Sequence, residues 1–176
     1  ILGIGSRGDR ARIGFDICAD LTQHRGKFFR RLKRFAVNQA LGFRESLTDA
    51  GLAGLYDYWM GLRTSLGRLP RRSEIDPLDL PTDVLPGMII LERDADQRFW
   101  CRLAGTKMRE IYGFEVTGMY LDQVMPAGPA AFRTGIYQTA LDGRCAVFCR
   151  LRFSVPGREF VASDRLYVPV LNDDTD

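Results

Sequence analysis

The sequence predicts an α+β domain built on an antiparallel sheet. Three observations predict it. Apolar residues recur at steps of three and four from Leu52 to Leu66, which is the spacing of one helix face. The apolar period then changes to two over Met88–Arg93 and Arg98–Ala104, and again over Arg144–Val155 and Phe160–Leu171; each pair reads as two strands joined by a turn. Helical spacing returns between the two pairs. Hairpins at both ends with helices between them give an antiparallel sheet of four strands, with helices on one face and a further N-terminal helix.

Taken in order, Ile1–Ala50 reads as a basic N-terminal extension, and residues 51–176 read as the domain. The extension holds ten Lys and Arg against five Asp and Glu, while the rest of the chain holds fifteen against seventeen. The net charge of +3 therefore belongs to the extension. Gly3, Gly5 and Gly8 match the spacing G-x-G-x-x-G. A dinucleotide site needs a strand before those glycines, and two residues cannot supply one; a flexible terminus is expected. Arg25–Phe35 places Phe28, Leu32 and Phe35 at helical spacing among six basic residues. That pattern suits phosphates or an anionic membrane surface, and equally a solvated basic face.

The helix stripe is Leu52, Leu55, Trp59, Leu62 and Leu66, closed by Gly67. It is expected either to cover the sheet or to form a homodimer seam. Pro77, Pro81 and Pro86 allow only short turns in the next stretch. In the first hairpin, Asp94–Gln97 is the turn, and Phe99, Cys101 and Leu103 are expected to share a face. Gly105–Tyr112 is a short helix ended by Gly113, and Gly118 and Pro126 bracket another short piece. Pro129–Leu141 is a longer helix with Phe132, Ile136 and Thr139 or Ala140 on one side. The second hairpin alternates Cys145, Val147, Cys149, Leu151, Phe153 and Val155 on one face, and Pro156–Gly157 turns it.

Several function classes lack their residues. No apolar run is long enough to cross a bilayer, and charges at Arg7, Asp9, Arg10 and Arg12 interrupt any secretory h-region, so a cytoplasmic location is expected. Cys18, Cys101, Cys145 and Cys149 lack the close pairing of zinc ligands, and His24 is the sole histidine; small buried hydrophobes in a reducing compartment are expected, with no metal. No nucleophile stands beside a histidine base, and no P-loop, H-E-x-x-H or EF-hand pattern occurs. Catalysis is not expected.

The order of elements resembles a PAS domain, in which helices interrupt a five-stranded antiparallel sheet after its second strand. Short motifs resemble one bacterial PAS subgroup: Tyr56–Trp59, Ile75-Asp76-Pro77, Leu85-Pro86, Arg102-Leu103-Ala104-Gly105-Thr106, and the spaced Gly113 and Gly118. The resemblance covers Leu52 to Leu171. It departs in one respect, since Asn172–Asp176 form a turn with no strand after them. Either the chain is cut short or four strands leave one edge open to pairing. The resemblance implies a sensory or regulatory module that acts through protein contacts. It also implies a cavity between sheet and helices, lined here by Phe99, Cys101, Leu103, Met108, Tyr112, Phe132, Ile136, Val147 and Cys149. A filled core of the same residues is the competing expectation. Haem-binding PAS domains use an axial histidine in the helical half, where this chain has none; Met108, Met119, Met125 and Cys149 are the other residues able to ligate iron. Flavin-binding ones carry a cysteine in the region of Gly105–Tyr112, where this chain also has none. No cofactor is expected. The alternative function is a nucleic-acid or anionic-membrane binder that uses residues 25–35, with the PAS-like domain as dimeriser.

Overall fold

The computed structural model describes residues 2–6, 42–152 and 162–173. Its strands are β1 (Leu2–Ser6), β2 (Met88–Arg93), β3 (Phe99–Ala104), β4 (Val147–Arg152) and β5 (Ala162–Val168). Its α-helices are α1 (Phe43–Ser46), α2 (Ala50–Leu66), α3 (Thr106–Tyr112), α4 (Leu121–Val124) and α5 (Ala127–Gly143), with three short 3-10 turns between α2 and β2. The basic run Arg25–Phe35 and His24 lie outside the described residues.

The strands form one antiparallel sheet in the order β3-β2-β1-β5-β4. This corrects the expectation of four strands. The fifth strand is Leu2–Ser6, from the segment expected to be a flexible terminus, and it occupies the centre. Leu2 stands opposite Ile90 on one side and Val168 on the other, and the register runs to Ser6 opposite Asp164. Without β1, the facing N–H and C=O groups of β2 and β5 would have no strand between them. Two glycines in five residues hide the strand from propensity arguments.

α2 forms where the stripe predicts it. The Asp49 side chain caps it, accepting from the Leu52 N–H at 2.9 Å, and Gly67 ends it in the left-handed region at φ 66°. Gly51 and Gly54 let the helix approach Val84 and Pro81 so closely that a Cβ would lie 2.7 and 2.8 Å from their side chains. The inner face rests on the sheet: Leu52, Leu55 and Trp59 are buried with Leu166 and Val168. The Trp59 indole N–H donates to the Pro169 carbonyl at 2.9 Å. The stripe thus covers its own sheet, one of the two roles expected of it. Leu52, Leu55 and Trp59 are consumed by their own sheet, Leu62 is half-buried, and only Leu66 is exposed, at 37%.

A second correction lies in β3. Ile90 stands opposite Leu103, but Leu91 stands opposite Cys101, so Arg102 has no cross-strand partner. This bulge takes up one residue and reverses the alternation beyond it. Phe99 and Cys101 are buried on one face, whereas Leu103 joins Ile90 on the other and is 43% exposed. The outer edge of β3 is partly paired, since the Cys101 N–H donates to the Met119 carbonyl at 2.8 Å and the Cys101 carbonyl accepts from the Gly118 N–H at 2.6 Å.

α3, α4 and α5 cover the second face. β5 shows the division, for Leu166 and Val168 belong to the core under α2 and Tyr167 belongs to the core under α5. In β4, Val147, Cys149 and Leu151 likewise face the α5 side, with Phe148 on the other. The domain thus has three layers.

Candidate functional site

The layer between the sheet and α3–α5 holds the one buried cation among the described residues. Arg133 is 3% exposed. It stands on α5 at the head of a stripe that continues through Ile136, Tyr137 and Ala140, where helical spacing asks for an apolar side chain. Tyr112 at the end of α3, Tyr137 and Tyr167 on β5 all lie within electrostatic reach of it. Tyr137 packs edge-on between Phe99, at 5.2 Å between ring centres, and Tyr167, at 5.1 Å.

The electrostatics of this cluster are unusual. Burial works against the charge of Arg133, while the oxygens of Tyr112, Tyr137 and Tyr167 and a hydrogen bond to Tyr137 favour it; the net shift is upward. Arg133 makes no ion pair among the described residues. Burial also pushes the Tyr137 and Tyr167 phenols upward, with the two arginines Arg133 and Arg165 pulling the other way. The Tyr167 hydroxyl is buried and has no hydrogen-bond partner. A buried charge without an ion pair and an unsatisfied buried hydroxyl are each costly, and here both fall in one layer. Arg165, on the same strand face as Tyr167, donates from Nε to the Ser163 hydroxyl at 2.9 Å.

Burial disfavours the thiolate at each described cysteine. Burial pushes Cys101 up to about 11 and Cys149 up to about 12, so neither is a nucleophile at neutral pH. Among the described residues no three of His, Cys, Asp and Glu come together as metal ligands. No helix among them is long and apolar enough to cross a membrane.

Eight of the nine residues expected to line a cavity gather in this layer. Phe99, Cys101, Met108, Ile136 and Val147 are buried in it, and Tyr112, Phe132 and Cys149 pack partly buried against it; Leu103 is the exception. Sequence reasoning missed Arg133, Tyr137 and Tyr167. The expected face of Phe132, Ile136 and Ala140 does pack into this layer, and the spacing Arg133–Ile136–Tyr137–Ala140 was the available signal for the two residues it left out. A cavity of about 50 Å³ lies on the α2 side, away from this layer, lined by Arg72, Ile75, Pro77, Leu80, Met88, Ile90 and Val170. It has room for little more than water.

A family model for the PAS domain matches residues 47–176. The chain belongs to the PAS domain family. No curated protein and no solved structure matches it. In this PAS domain the buried arginine and its tyrosines occupy the interface between the sheet and the interrupting helices.

Proposed function

We propose that this PAS domain is a non-catalytic sensory or regulatory module of the cytoplasm that acts on a protein partner and is tuned by a small molecule held between the sheet and α3–α5. The carrying observation is Arg133: a filled apolar core has no use for a buried guanidinium, whereas ligand sites are apolar pockets with a few placed polar groups. Burial disfavours the nucleophilic thiolate at Cys101 and Cys149, which supports a binding role over a catalytic one.

Native mass spectrometry of the full chain, with hydrogen exchange before and after addition of a fractionated small-molecule extract, tests this. A bound small molecule, or a fraction that slows exchange in α3, α5 and β5, is the expected result. An exchange pattern unmoved by every fraction, with no bound mass, would sink the reading.

A further inference from the structure

The geometry points to a specific ligand class: a small carboxylate with an apolar body, its carboxylate seated on Arg133 and the Tyr167 hydroxyl and its body against Phe99, Ile136 and Val147. This deepens the proposal above and rests on it. Three observations converge. Arg133 is buried at 3% exposure and makes no ion pair among the described residues. Its planar fork matches two carboxylate oxygens. The Tyr167 hydroxyl, on a residue 1% exposed, donates to nothing, and a phenol so placed is an additional donor for an anion. The surrounding side chains are mostly apolar and aromatic, with Tyr137 in ring contact with both Phe99 and Tyr167, and Arg165 on the same strand face as Tyr167 adds a second cation that would favour an anion.

The entrance is beside Tyr112. That residue is the half-buried member of the cluster, it closes the seven-residue helix α3, and Gly113 follows it in the left-handed region at φ 82°. Its ring pairs with the exposed Phe114 at 6.2 Å. Opening here moves one short helix end and leaves the sheet untouched. A carboxylate that enters supplies the counter-charge that the neutral phenols around Arg133 cannot. The bond from Arg133 to Tyr137 is then available to the ligand, and the charge gains a partner without leaving the core.

Calorimetric titration and thermal shift of the full chain with benzoate, octanoate and succinate, each against its neutral amide, test the assignment. At least one carboxylate is expected to bind and raise the melting temperature while its amide does not. Arg133→Met should weaken that carboxylate by roughly tenfold or more, the size of one charge-assisted bond, and Arg133→Lys by less. Tyr167→Phe keeps the ring and serves as the second variant. It should leave the unliganded melting temperature unchanged or higher and still weaken binding. An amide that binds as well as its acid, or wild-type affinity in both Arg133→Met and Tyr167→Phe, overturns the anion assignment and leaves the cavity reading standing. Failure of every acid overturns the anion assignment, while the cavity reading falls only if the extract fractions above also leave the exchange pattern unmoved.

Discussion

Trp59 ties together parts of the chain 110 residues apart, because its indole N–H meets the Pro169 carbonyl inside the core under α2. Truncation to Ala removes a fully buried ring and leaves that carbonyl unpaired. We expect urea unfolding to show a loss of about 3–5 kcal/mol; a loss under ~1 kcal/mol would mean that α2 is loosely held. Arg133 should behave in the opposite way. Arg133→Met exchanges a buried, unpaired charge for a side chain of similar length. The unliganded protein should gain about 1 kcal/mol or more in the same assay, since apolar replacement of buried charge is often stabilising. A large loss would make Arg133 a structural residue. Glu74 governs the acid side. Hydrogen bonds from the Arg68 side chain and the Arg71 N–H hold its carboxyl at about 2, below its usual 4.5. A depressed folded value contributes stability above the unfolded value, and that stability fades as pH falls from about 4.5 to about 2. The melting temperature of Glu74→Gln should therefore lie below wild type at pH 6 and converge on it near pH 2.

At the scale of elements, the link from β3 to α3 depends on one glycine. The Gly105 N–H donates to the Met88 carbonyl at 2.7 Å, and a Cβ there would collide with the backbone carbonyl oxygens of Leu85 and Pro86. Gly105→Ala should cost about 1–3 kcal/mol by forcing these backbones apart, measurable as a lower denaturation midpoint. The motif Arg102–Thr106 thus has a local cause: the bulge at Arg102 re-aims the strand, and Gly105 lets it pass under the turn before β2. β1 is the other decisive element. Removing residues 2–6 should expose the inner edges of β2 and β5 together. We expect a lower urea midpoint and concentration-dependent association by sedimentation, because unpaired edges recruit other chains. A shortened chain as stable and as monodisperse as the full one would show that β1 is dispensable.

For the whole molecule, the three layers decide what α2 is for. Its first three turns cover the sheet, so Leu55→Asp should unfold the domain rather than split a dimer. Far-ultraviolet circular dichroism beside sedimentation separates these outcomes: loss of helix signal at every concentration is expected, and a folded monomer would restore the seam. Leu66, exposed at the end of the helix, should accept Asp within about 0.5 kcal/mol.

The alternating periods were legible without any structure. The stripe from Leu52 to Trp59, the two hairpins and the intervening helices follow from side-chain spacing alone, because burial on one face imposes a period of 3.6 or 2. The family resemblance rested on the order of those elements and on short motifs such as Arg102–Thr106. Three things were not. A strand of sequence Leu-Gly-Ile-Gly-Ser has little local preference, and only the slot between β2 and β5 makes it one. The bulge at Arg102 leaves no mark in composition, yet it moves Leu103 to the other face. Arg133 reads as an ordinary helix charge until α5 is laid on the sheet. Its position in the core is set by the direction of the whole helix, which depends on contacts with residues far away in the chain.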